Sequence, residues 1–311
     1  MIIQPFGTIF HYFKDGKIHK DCQGALTEKE FAKIINYLRS NYVLLDADEF
    51  LFQAKQGTPG ITCITIDDGV RSQYDIARSV LNREKIKAFW FIYTSHFNDN
   101  PSRLEIYHDF RFTCYNSVDD FYCDFYRVCN ESKFGMEIDI DDFSKIDVSN
   151  YRLNSDCHTV NDLRFRFIRD VILNKNQFND IMMSLIKYKN YSISDRLNKL
   201  WISAEELKVL ENEGHVIGLH SETHPTKMIN NEYAVQLNEY STNKSTLERL
   251  LGGPINCVAY PSGSYNLDTL LVMKKLNIEY AFTANRMRSL ISMLELPRRN
   301  HTEIVDEMKQ K

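Results

Sequence analysis

The residues best equipped for chemistry lie in two distant stretches. "ITCITIDDG" (61–69) is an apolar run that stops abruptly at Asp67, Asp68 and Gly69, and "GLHSETHP" (218–225) sets His220 and His224 four positions apart behind a second apolar run. Adjacent carboxylates at a strand end point in different directions, so one can hold a cation while its neighbour stays free. Asp68 with His220 and His224 forms a set of one oxygen and two nitrogens, which leaves coordination positions for water and substrate. A cation there lowers the pKa of bound water toward ~7 and polarises a carbonyl. Asp67 is then the general base that takes the water's proton. Each piece alone is weak, since an isolated DDG is more often a helix-capping turn and paired histidines occur on many surface turns. Together they favour a site. The HExxH pattern of metalloproteases fails, because Ser221 follows His220 and the glutamate comes third. Non-haem iron oxygenases share the donor set but use folds with many short strands, which this chain lacks.

Positioning such groups requires strands that end near one another, and the chain alternates accordingly. "TIFHYF" (8–13), "NYVLLD", 61–69, "AFWFIYTS" (88–95), "HVIGLHS", "NCVAYPSG", "EYAFTA" and "MLELPRR" read as strands. Between them lie helical segments: a capping box Thr27–Glu30 followed by Phe31, Ile34, Ile35 and Leu38; "ADEFLFQAKQG"; 72–85, with Tyr74, Ile76, Ala77, Val80 and Leu81 inward; a second capping box Ser203–Glu206; 230–251; and 266–276. About seven βα units without a G-x-G-x-x-G loop predict a distorted (β/α) barrel, whose site gathers where the strands end. Two further strand ends carry polar or turn-forming residues, Arg298 to His301 and "AYPSG" (259–263).

Residues 96–200 break this rhythm with aromatic and acidic material and a helical stretch at 162–189. They read as a mainly helical insertion, able to roof a site, within one barrel domain spanning 1–311. "EIDIDD" (137–142) lacks the glycine and terminal glutamate of an EF-hand loop and reads as a solvated acidic face.

Composition bounds the partners. The net charge of −4 over 311 residues gives no electrostatic case for nucleic acid, and no run approaches the length needed to span a bilayer. Seven cysteines, without a C-x-x-C pair, argue against a disulfide framework and suit a reducing compartment. With an N-terminus that reads as a strand rather than a signal peptide, the expectation is a cytoplasmic protein.

"TIDDG", "HSETH" and "AYPSG", in this order, resemble the first three motifs of the polysaccharide deacetylase family (carbohydrate esterase family four, the chitooligosaccharide deacetylase homology domain). "FHYF", "QGALTEKEF", "YDIARSVL", "AFWFIYTS", "EELKVLENEGHVIGLHSETH" and "ELPR" resemble the branch associated with bacterial surface-glycan synthesis, O-antigen or capsule. The resemblance covers 1–98 and 200–305 and is poor over the insertion. It implies a divalent metal, most commonly Zn2+ with Co2+, Ni2+, Mn2+ and Fe2+ as alternatives, and hydrolysis of N-acetyl groups on amino sugars; the cytoplasmic expectation favours a nucleotide- or lipid-linked sugar over an exported polymer. Carried over by position, it makes Asp67 the base and Asp68, His220 and His224 the ligands. It also makes Pro261 and Ser262 the turn whose backbone amide binds the oxyanion. A sugar N-deformylase using the same machinery, and an inactive glycan-binding barrel, are the alternatives.

The sequence departs from the family in two places. The third motif often opens with an arginine that orients the catalytic aspartate, whereas Ala259 and Tyr260 stand before Pro261. Arg298 from the last strand is expected to reach Asp67 instead; Arg299 is its rival, and strand alternation lets only one point inward. The late "L-H" motif, whose histidine protonates the leaving amine, has no clean counterpart. His301 is the first candidate for that acid and His11, at the end of the first strand, the second. Tyr265 is the aromatic residue expected to stack on a sugar ring.

Overall fold

The computed structural model describes residues 4–98, 101–132, 142–151, 159–284 and 292–310. They divide into two compact units, one formed by 1–102 and 201–311 and the other by 103–200.

The first unit is built on a parallel sheet. Its strands are β1 (Phe6–Phe10), β2 (Val43–Leu44), β3 (Ile61–Asp68), β4 (Phe89–Ile92), β5 (Val216–Leu219), β6 (Cys257–Ala259), β7 (Tyr280–Phe282) and β8 (Arg298–Asn300). Seven run in the order β7-β6-β5-β4-β3-β1-β8, and the short β2 pairs with β3. The ring is nearly closed by one segment. Leu296 bridges Phe282 in parallel, with its N–H donated to Ala281 and its carbonyl accepting from Thr283, while Arg298–Asn300 pairs with β1. This is a distorted (β/α) barrel.

Strand alternation sorts the side chains into two layers. Ile64, Ile66, Trp90, Ile92, Ile217, Leu219, Val258 and Ala281 face outward into a core shared with the helices. The helix Glu28–Asn41 adds Phe31, Ile34, Ile35 and Leu38, and starts at the capping box expected at Thr27 and Glu30. The inward set is Ile61, Cys63, Phe89, Phe91, Cys257, Ala259, Phe282 and Leu296, joined by Phe50 and Leu51 of the helix Ala47–Lys55. The rings of Phe89, Phe91 and Phe282 lie 5.0–5.8 Å apart and plug the barrel. Gly218 on β5 makes room for this plug, because a Cβ there would fall 2.6 Å from the Phe91 ring.

Differences from the sequence reading are local. β1 lies at 6–10 rather than 8–13, so His11 sits just past its end. The segment 72–85 opens with a wide π-type turn, Gln73–Ala77, before the helix Arg78–Glu84. That turn buries Gln73 and leaves Tyr74 half-buried beneath the guanidinium groups of Arg71 and Arg78.

The second unit is helical among its described residues: Arg103–Thr113, Val118–Glu131, Val160–Phe167, Lys175–Tyr188 and Ser194–Leu200. Its core is aromatic, with Phe110, Phe121, Phe125 and Phe165 packed edge to face. Arg111 is buried in it, 4.5 Å above the Phe165 ring and 3.5 Å from Asp162. Most of "EIDIDD" lies outside the described residues; Asp142 itself caps the short turn Phe143–Lys145.

A candidate metal and acid–base centre at the strand ends

Three loops leaving β3, β5 and β6 carry the motif residues, and their backbone is unusual. Among the described residues, seven non-glycine positions have φ in the left-handed region, and four of them are Asp68 (86°), Ser221 (62°), His224 (55°) and Ser262 (53°). Such conformations cost L-residues roughly 1–3 kcal/mol each and persist only where surrounding contacts hold them. Strain is therefore concentrated at these strand ends.

Asp68, His220 and His224 come together, their ligand atoms all within 4.8 Å of one another. Asp68 Oδ1 is 3.4 Å from His220 Nε2 and 3.3 Å from His224 Nε2. The protonation of His220 is fixed by its other nitrogen. Nδ1 lies 2.8 Å from the Ala259 carbonyl, which can only accept, so Nδ1 carries the proton and Nε2 presents a lone pair. That lone pair faces a buried carboxylate oxygen that has no hydrogen-bond partner. Two acceptors facing each other at this separation, His220 Nε2 and Asp68 Oδ1, fit a cation: tetrahedral arms of about 2.0–2.1 Å place ligand atoms roughly 3.3 Å apart. Burial raises the Asp68 carboxyl, but His220 and His224 beside it bring it well below the usual carboxylate range. His224 is moved the other way. Burial lowers it, and Asp68 more than compensates.

Asp67 occupies a different environment. Arg298 Nη1 donates to Asp67 Oδ1 at 2.7 Å and to Thr65 Oγ1 at 3.2 Å, while its Nε donates to the Thr283 carbonyl at 2.9 Å. Asp67 Oδ2 faces the opposite side, 4.0 Å from both His220 Nε2 and His11 Nε2. Burial is the largest influence on the Asp67 carboxyl and raises it, but Arg298, His220 and His11 together outweigh it and leave it below its ordinary value. Arg298 is 1% exposed, and its stem crosses Gly7 of β1, where a Cβ would stand 3.2 Å from its Cγ. Arg299 points the other way, to Tyr42 and Glu307.

The two candidate acids separate. His11 is a third exposed and lies beside Asp67; burial lowers its pKa, against the raising effects of Asp68 and Asp67. His301 instead stacks on Phe10 with centroids 5.6 Å apart and packs against Gly24. Burial and then His11 push it down to about 4. Ser262 is exposed on the turn Pro261–Gly263, where the neighbouring Gly263 and Ser264 amides are already donated to the Tyr260 and Pro261 carbonyls. Tyr265 stacks on Tyr260 at 4.7 Å and donates its hydroxyl to Glu295 at 2.8 Å. His215, read from sequence as structural, accepts the Ala88 N–H at 3.0 Å, and burial takes it down to about 4.

Sequence reasoning missed the groups that hold these residues. Gln73 donates to the carbonyls of both His11 and Asp67 and receives the Val70 N–H, tying the ends of β1 and β3 together. The helix Tyr233–Leu251 buries Gln236, Glu239, Asn243 and Thr246. Polar residues recurring every three or four positions on one helix face were the available signal.

Comparison with known proteins agrees with this description. The family model for polysaccharide deacetylases matches residues 175–281, which include His220, His224 and the Pro261–Gly263 turn. No curated protein matches the chain by sequence. Among solved structures, the Streptococcus pyogenes deacetylase PplD in complex with acetate is similar with a TM-score of 0.55 and 14% identity, covering 96% of this chain and 93% of that one. IcaB from Ammonifex degensii is similar at 0.55 and 15%, covering 96% and 91%. The BpsB deacetylase domain from Bordetella bronchiseptica gives 0.52 and 11%, covering 95% of each chain. At these identities the structures establish the fold. Motifs, family match and fold agree, and the resemblance to the polysaccharide deacetylase family holds.

Proposed function

We propose that the protein is a metal-dependent hydrolase that removes the N-acetyl group from an amino sugar during bacterial surface-glycan (O-antigen or capsule) synthesis. The observation that carries this reading is the meeting of Asp68 Oδ1 with the Nε2 atoms of His220 and His224, beside an aspartate held by a buried arginine. PplD, solved in complex with acetate, supports the acetyl assignment by its fold.

Asp68, His220 and His224 would hold a divalent cation, most commonly zinc, which would supply Lewis acidity toward water and the amide carbonyl. The remaining chemistry belongs to the chain. Arg298 occupies Asp67 Oδ1 and keeps the carboxylate ionised, so Oδ2 is free to take the proton of the attacking water. The Ser262 amide is offered to the oxyanion that forms on the former carbonyl oxygen. His11, beside Asp67, gives a proton to the departing sugar nitrogen; His301, turned toward Phe10, has the weaker case. Tyr265 lines the sugar side.

Cys63, Cys114, Cys123, Cys129 and Cys257 are outside any disulfide, and no helix among the described residues is long and apolar enough to cross a membrane. We further propose that the protein acts in the cytoplasm, on a nucleotide- or lipid-linked sugar. The test measures bound metal, then acetate and formate release from acylated sugar nucleotides, lipid-linked sugars and long glycans, with and without chelator. Asp67→Asn should keep the metal and lose turnover, whereas His220→Ala should lose both. Chelator-insensitive turnover, or none on any acylated sugar, rejects the proposal.

A further inference from the structure

The loop His220–His224 is held from outside. Glu239 Oε2 accepts the backbone N–H groups of Glu222 at 3.0 Å and Thr223 at 2.8 Å, and Oε1 accepts the Thr223 hydroxyl at 2.7 Å. One turn further along the same helix, Asn243 Oδ1 accepts the His220 N–H at 2.9 Å. The amide nitrogen of Asn243 donates to the Ile92 carbonyl at 2.9 Å and to Thr94 Oγ1 at 3.0 Å, which ties the end of β4 to the first ligand. Asn98 links Thr246, one turn beyond, to Glu222, with distances of 3.3 and 2.8 Å. Glu239 and Asn243 are both buried.

This clamp acts on a backbone that resists its own shape. Ser221 and His224 are both left-handed, and the Ser221 hydroxyl accepts the His224 N–H at 3.1 Å within the loop. Without external acceptors the loop would relieve its strain by relaxing both residues. Relaxation at His224 swings its imidazole, whose Nε2 lies 3.3 Å from Asp68.

We propose that Glu239 and Asn243 are positioning residues that set the affinity and coordination geometry of the cation site without touching the ion. The inference rests on the metal reading above and adds what fixes the two histidines. Glu239 acts by accepting: an amide oxygen can replace its Oε2 toward the two N–H groups, and the amide nitrogen can donate to the Thr223 hydroxyl after that hydroxyl rotates.

The test titrates the metal-stripped full chain with Zn2+ against a chromophoric chelator and records the visible spectrum of the Co2+ form. Glu239→Ala is expected to weaken Zn2+ binding by about 10–100-fold, the range for lost partners around metal ligands, and to change the Co2+ spectrum. Glu239→Gln should restore most of the affinity and the wild-type spectrum. If Glu239→Ala does not fold, Thr223→Val, which removes only the hydroxyl contact, should still weaken binding. Wild-type affinity and spectrum in Glu239→Ala or in Thr223→Val overturn the inference alone. Equal loss in Gln and Ala overturns it in favour of a simple charge effect. Failure of the wild type to bind either metal overturns the metal reading with it.

Discussion

Arg298→Met tests the arrangement around Asp67 most directly. Methionine keeps the apolar stem over Gly7 but removes a guanidinium whose 2.7 Å contact is the only charge-assisted bond on Asp67 Oδ1 among the described residues. Both partners are at most 3% exposed at the side chain, so solvent does not replace the lost contact. Stranding one partner of such a pair costs about 3–5 kcal/mol. The cost falls on the ionised carboxylate, so the variant escapes it by protonating Asp67, and 3 kcal/mol corresponds to roughly 2 pH units. The sign follows from the wild-type shift. A carboxyl held below its ordinary value contributes stability that is complete above that value and lost as pH falls through the folded-state pKa. In the variant burial is opposed only by His220 and His11, so the folded-state pKa moves up and the variant loses stability relative to the wild type as pH rises. Urea unfolding of the metal-free proteins should give a gap of about 3 kcal/mol at pH 8 that narrows as pH falls through 4 and closes only below the wild-type carboxyl's depressed pKa. The acid limb of kcat/KM should move up by about 2 pH units. Parallel stability–pH curves, or acid limbs that superpose, would refute the reasoning.

Gly7→Ala brings a Cβ to 3.0 Å from Thr65 and 3.2 Å from the Arg298 stem; it should cost about 1–3 kcal/mol in thermal unfolding and lower kcat while Zn2+ content is unchanged. His11→Gln should erase the basic limb of the pH–rate profile, whereas His301→Gln should leave that limb in place and change mainly stability, because its ring packs on Phe10. Phe282→Ala opens the plug where three rings meet, and calorimetry should register a loss of about 3–5 kcal/mol.

What could be read in advance was local or periodic. The capping boxes at Thr27 and Ser203 are four-residue signals, and both form. The apolar runs ending in Asp67–Asp68 and His220 announce strands that stop at one rim. Alternation decides between Arg298 and Arg299, and the two guanidinium groups do part to opposite faces. Which of His11 and His301 lies beside Asp67 was not legible, because it depends on how the chain leaves two neighbouring strands. Gln73 and Glu239 escaped notice for a further reason: polar residues on a helix read as solvated until a loop is known to fold against them.

The segment Leu296–Asn300 joins the last open edge of the ring and, in the same few residues, delivers Arg298 opposite Asp67. A nascent polypeptide emerging from the ribosome already holds Asp68, His220 and His224 before that arginine has been added. Ring closure and the arrival of a guanidinium at the Asp67 carboxylate are therefore a single event, completed only when the final strand docks on β1.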